Sequence, residues 1–153
     1  MTPDGISTED WDRVHELAVE SANASGVEDW PRMRVAHRQM VDLLDELQEK
    51  YGALPSLLAT RADYVDEPEG REYWLLAAYD LATQRADPKN RVWIASSLAG
   101  LYLEDVRERA KGQEWLTRLT EHLKVSPDES EEEELARLRA VLAKLIEGRA
   151  VEQ

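Results

Sequence analysis

The sequence predicts an all-α fold, with about seven helices joined by short turns in one domain spanning residues 1–153. Three observations predict it. Apolar residues recur at three- and four-residue intervals through successive segments. Proline and capping residues interrupt that periodicity at regular distances. No segment alternates apolar and polar residues between turn signals as a half-buried strand would.

Ser7-Thr8-Glu9-Asp10 caps a first helix, with Ile6 before the cap and Trp11, Val14, Leu17, Ala18 and Ala22 along one side; Gly26 is a left-handed stop. Asp29-Trp30-Pro31 starts a second, whose Met33, Ala36, Met40, Leu43, Leu44, Leu47 and Tyr51 follow the helical period up to Gly52. Pro55 starts a short third helix through Leu57, Leu58, Ala62 and Val65, and Asp66-Glu67-Pro68 a fourth carrying Tyr73, Trp74, Ala77, Ala78 and Leu81. The fifth follows Asp87-Pro88; with Val92, Ile94, Ala95, Leu98, Ala99, Leu101 and Tyr102 it is apolar on most sides, which predicts the central buried element. Ala110, Trp115, Leu116, Leu119 and Leu123 mark a sixth. Ser126-Pro127-Asp128-Glu129 combines an N-cap, a first-turn proline and an acid at the start of a last helix bearing Leu135, Leu138, Leu142 and Leu145. The run Glu131 to Glu134 belongs to that helix's first turns, where negative charge suits the dipole. Residues 1–6 and 148–153 are expected to fray.

A chain of 153 residues buries roughly 68–70% of its unfolded surface, so its core needs no metal or disulfide. The absence of Cys removes disulfides, thiolate chemistry and Cys-ligated zinc. Met1-Thr2-Pro3-Asp4-Gly5 has neither a basic nor an apolar signal region, and no apolar run approaches membrane-spanning length, so a cytoplasmic protein is expected. The net charge of −13 argues against nucleic acid and for a basic protein partner. Charge is uneven: residues 1–29 hold 8 acids and 1 base, whereas 88–125 hold 5 acids and 7 bases, so the faces should differ electrostatically.

Trp11-x2-Val14-His15-x2-Ala18 and Ala95-x2-Leu98-Ala99-x2-Tyr102 resemble the first half of the tetratricopeptide signature, and Ala36-x3-Met40-x2-Leu43 resembles the second. Pro88 and Pro127 stand about where the repeat's closing proline would. The resemblance covers residues 7 to 127, with no pair carrying the full signature. It implies a tetratricopeptide-like array of about three helical hairpins plus a C-terminal capping helix, with a concave groove that binds a protein or peptide without catalysis.

No catalytic residues are assigned, and no metal or cofactor is expected. His15, His37 and His122 are far apart in sequence, and Asp12-x-x-His15 lacks the second motif a bundle metal site needs. No nucleophile elbow, Walker loop or dinucleotide fingerprint is present, and carboxylates are too numerous for any pair to be informative. Gly100 inside the apolar fifth helix points to a close helix approach.

Two acidic stripes stand out. Glu9, Asp12, Glu16 and Glu20 share one face of the first helix, and Asp42, Asp45, Glu46 and Glu49 share one face of the second. A hairpin of the two helices would bring the stripes near each other. They are either a solvated acidic face or a surface neutralised by a basic partner, since like charges four residues apart repel. Trp30, between the stripes, is an anchor for that partner or a staple joining the two helices. Arg32, Arg34 and Arg38 near His37 are expected to pair with first-helix acids. With no Phe in the chain, most Trp and Tyr are assigned to the core, with one or two lining a groove. The leucines of the last helix form a seam that either docks on the preceding hairpin or dimerises, so a monomer or weak dimer is expected. The expected function is non-catalytic protein binding: an acidic immunity or antitoxin protein that neutralises a basic toxin such as a nuclease. The alternative is a tetratricopeptide-like scaffold or chaperone holding a peptide in its groove; a helical enzyme using scattered carboxylates is a third reading.

Overall fold

A computed structural model describes residues 1–152, with side-chain surroundings given through Gly148. The expected fraying of 148–153 falls largely outside those side chains. The described residues are helical throughout, in the order α1 (Thr8–Gly26), α2 (Trp30–Tyr51), α3 (Pro55–Ala62), α4 (Pro68–Gln84), α5 (Pro88–Gly100), a π-helical turn (Leu101–Asp105), α6 (Arg109–Val125) and α7 (Glu129–Glu152). None of these helices is long and apolar enough to cross a membrane.

The starts follow from side chains that replace the missing first-turn partners. Ser7 Oγ accepts from Asp10 N at 3.2 Å, Asp29 from Arg32 N at 3.2 Å and Asp87 from Asn90 N at 3.2 Å, and proline occupies the first turn of α2, α3, α4 and α5. Three expected boundaries move. α3 ends at Ala62, short of the expected Val65, where the chain turns into Asp66-Glu67-Pro68. Ser126 N–H still donates to His122 O at the end of α6, so the cap of α7 is Asp128, which accepts from Glu131 N at 3.0 Å. Gly26 stays helical, and the left-handed residue is Glu28 (φ 56°), because Asp29 N–H reaches back to Ala24 O and closes the turn later.

Residues 1–6 are not frayed. Asp4 accepts from Ser56 N (2.8 Å) and Ser56 Oγ (2.9 Å), so the N-terminal segment caps α3, and Ile6 is fully buried.

Two apolar clusters form. One joins Ile6, Val14, Met40, Leu44, Leu47 and Leu57 from the N-terminal segment, α1, α2 and α3. The larger runs from Leu58 of α3 through α4, α5 and α6 to Leu138 of α7. α1 pairs with α2, α3 with α4 and α5 with α6, and α5 also touches α3 and α7. At backbone level, among the described residues, the α1–α2 hairpin reaches the rest of the fold only through α3. α5 is the central element, with Val92, Ile94, Ala95, Leu98 and Ala99 all buried. The leucine seam of α7 docks within the molecule: Leu135 and Leu138 are buried, and Leu142 and Leu145 pack beside them.

The helix after Gly100 widens into the π-helical turn, whose Val106 N–H donates to Leu101 O. A Cβ on Gly100 would meet nothing closer than Glu104 Oε1 at 3.9 Å, so the close approach expected there is absent. It occurs at Gly112 of α6, where a Cβ would lie 2.6 Å from Leu103 Cγ, and Leu103 is buried. Gly112→Ala is therefore expected to destabilise the fold by about 1–3 kcal/mol through overpacking. Gly148→Ala, inside α7 with open space around it, should instead stabilise slightly, by up to about 1 kcal/mol. Denaturant titration of both variants checks this.

Candidate functional site

On α1, packing of Val14, Ser21 and Ala24 against α2 turns Glu9, Asp12 and Glu16 outward, and all three are exposed. On α2, burial of Ala36, Met40, Leu43, Leu44 and Leu47 does the same for Asp42, Asp45, Glu46 and Glu49. Both stripes therefore lie on the surface of one hairpin.

They do not form a single cluster of free carboxylates. Arg13 donates twice to Glu46, at 2.7 and 3.3 Å, and Arg32 twice to Glu20, the longer contact being 2.9 Å. These guanidinium hydrogen bonds hold the Glu46 and Glu20 carboxyls below the usual carboxylate range. Arg61 of α3 donates to Asp45 at 2.6 Å and to Gln48 at 3.1 Å, and its guanidinium lies 5.5 Å from the Trp74 ring centroid. Glu9, Asp12, Glu16, Asp42 and Glu49 have no ion-pair partner among the described residues. Of the basic residues expected to pair with first-helix acids, Arg32 does so, while Arg34 and Arg38 are exposed without a recorded ion pair among the described residues.

The register of the hairpin divides the stripes between two grooves. Glu16, Asp42 and the Arg13–Glu46 pair line a shallow groove of about 400 Å³ between α1 and α2. Asp45 and Glu49 border the neighbouring groove of about 530 Å³ at the edge of the same face of α2, with Arg61 and Trp74. Trp30 is 46% exposed at the start of α2 and belongs to neither apolar cluster. It stands twelve residues before Asp42 on the same helix, which at 1.5 Å per residue is about 18 Å.

Other aromatic side chains are more exposed than the sequence reading assigned. Tyr73 is 66% exposed and packs edge-on to half-buried Trp74 at 5.3 Å. Trp11 and Trp93, each packed on one side against a different apolar cluster, face a shared cleft of about 520 Å³. Of the residues expected along the apolar side of α1, Trp11 is only half-buried and Ala22 is exposed.

The histidines occupy unrelated places. His15 is exposed, His37 hydrogen bonds Ser21 Oγ at 2.7 Å, and His122 hydrogen bonds Tyr79 Oη at 2.7 Å. Burial, then the charges of Arg91 and Arg118, pulls His122 below its ordinary value. No group of acidic or histidine side chains among the described residues is placed to hold a metal ion.

Below the acidic surface, Asp10 ties the hairpin together. It is buried and accepts from Lys50 Nζ at 2.7 Å and Tyr51 Oη at 2.5 Å. Those bonds hold its carboxyl well below the usual range, its ordinary value being 3.8. A depressed folded-state pKa contributes stability that is fully present above the unfolded value and is lost as pH falls through the folded one. Acid should therefore weaken the native chain progressively below about pH 4. Asp10→Asn should flatten that part of the stability profile and lower stability at pH 7, as measured by urea titration across pH.

Comparison of the chain with protein-family models, curated proteins and solved structures finds no significant match. The site is therefore read from its own geometry.

Proposed function

We propose that the chain is a non-catalytic binding protein that offers the carboxylates of α1 and α2 to a basic protein partner. The reading is of an immunity or antitoxin protein that neutralises a cytoplasmic toxin such as a nuclease. The observation that carries it is the set of five exposed carboxylates, Glu9, Asp12, Glu16, Asp42 and Glu49, without ion-pair partners among the described residues, beside neighbours that are each clamped by arginine. Glu9, Asp12 and Glu16 repel one another at helical spacing, and a basic surface laid over them relieves that repulsion. A nuclease must carry cationic groups to hold phosphates, so an acidic inhibitor matches its field and associates quickly. From Trp30 to Glu49 the α2 surface runs for 19 residues, about 28 Å, which suits the footprint of one protein partner.

The test is affinity capture from source-cell lysate at low salt, with the native chain beside a variant carrying Glu9→Gln, Asp12→Asn, Glu16→Gln, Asp42→Asn and Glu49→Gln. The reading expects one basic, salt-eluted protein on the native chain and its loss from the variant. Equal capture by both would overturn it. A second reading, the tetratricopeptide-like scaffold, is favoured by the cleft that Trp11 and Trp93 share. Groove binding of that kind would be nearly indifferent to salt.

A further inference from the structure

The outer face of α2 carries charges in an order that its own helix disfavours. At 3.6 residues per turn, Arg34, Arg38, Asp45 and Glu49 fall within about 60° of arc. They lie on the side turned away from buried Met40 and Leu47, and all four are exposed. The two cations stand toward the N-terminal end of α2 and the acids toward its C-terminal end, the reverse of what the helix dipole favours. Like charges also sit four residues apart, Arg34 with Arg38 and Asp45 with Glu49, where they repel. A surface with the opposite order of charge, laid against this face, relieves both effects.

The same face, turned end for end, is such a surface. Arg34 and Arg38 have no recorded ion pair among the described residues, and neither do Asp42 and Glu49, while Asp45 is held by Arg61. These groups balance, so the face is neutral in a chain of net charge −13. The spacing also matches. Arg34 lies as far before the point between Val41 and Asp42 as Glu49 lies after it, and Arg38 as far before it as Asp45 after it. Val41 and Val35, 40% and 53% exposed, flank the charged row on opposite sides.

We propose that this face docks on the same face of a second copy of the chain, antiparallel and with two-fold symmetry. One register then seats Arg34 on Glu49 of the second copy and Arg38 on its Asp45, about 11 Å and about 5 Å from the dyad at 1.5 Å per residue. Asp42, beside the dyad, comes within one turn of the second copy's Arg38, and the two Val41 side chains approach each other there. One helix against one helix buries an area at the small, transient end of interface sizes, so the dimer depends on concentration. A basic partner competes with the second copy for Asp42 and Glu49.

Sedimentation equilibrium of the purified chain at about 0.1 M salt tests this, since screening there confines charge effects to about 10 Å. The weight-average mass is expected to rise toward twice the monomer value through the millimolar range. Arg34→Glu with Arg38→Glu makes the face acidic, and Asp42→Arg with Glu49→Arg makes it basic. Each double variant should stay monomeric, and an equimolar mixture of the two should restore the doubled mass. A second measurement uses the absence of cysteine from the chain. Val41→Cys, near the dyad, should form an intermolecular disulfide under mild oxidant, and Val19→Cys on the outer side of α1 should not. A native chain that stays monomeric throughout, double variants that still dimerise, a mixture that stays monomeric, or equal cross-linking at the two cysteines overturns the proposal. The basic-partner reading fails separately, by capture that ignores the five-carboxylate variant.

Discussion

Replacing Leu98 by alanine is expected to lower the free energy of unfolding by about 2–5 kcal/mol. Leu98 is fully buried on α5, the helix that touches α3, α4, α6 and α7, so several elements surround the void it would leave. A cavity at such a junction collapses poorly, which favours the upper part of that range. For a chain of this length each kcal/mol corresponds to a shift of about 2–4 °C, so the melting midpoint should fall on the order of 10 °C. Val19→Ala, on the 44% exposed outer side of α1, should change it little. Calorimetry of the two variants checks the assignment of α5 as the centre of the larger cluster. A small loss at Leu98 would mean that α5 is not the packing hub.

Neutralising Glu9, Asp12, Glu16, Asp42 and Glu49 together is expected to slow association with the basic partner at least tenfold at low ionic strength. Exposed charges steer encounters over a distance set by screening, about 10 Å at 0.1 M salt. The native chain should therefore lose association rate steeply as salt rises, and the variant should be nearly flat. Dissociation should change less, because rim charges act mainly on the encounter. Neutralising whole ion pairs instead, Glu20 with Arg32, Asp45 with Arg61 and Glu46 with Arg13, should have a smaller effect on steering, since each pair carries no net charge. Stopped-flow mixing with the captured partner separates the two sets. Equal losses in both would show that the ion pairs do not distinguish them.

Much of this fold can be read from local chemistry. Pro31, Pro55, Pro68 and Pro88 each begin a helix, and the near-continuous apolar character from Val92 to Ala99 marks the buried element. Those signals act within one turn of helix, so they survive any tertiary arrangement. The exceptions arise where a neighbouring element competes. Ser126 completes α6 and so leaves the cap of α7 to Asp128, and the close approach expected at Gly100 falls at Gly112 because the π-helical turn redirects Leu103. The acidic stripes were legible as helical faces, but their division was not. Which carboxylates are clamped depends on the register of α1 against α2 and on Arg61 arriving from α3. The Trp11–Trp93 cleft joins residues from separate clusters and had no signature in either segment alone.

Hydrogen exchange of the native chain with and without the captured basic protein, read by mass spectrometry along the sequence, tests the central claim most directly. The account predicts added protection in α1 and α2, spanning Glu9 to Glu16 and Trp30 to Glu49. Protection confined to α4 and α6, with α1 and α2 unchanged, would contradict it.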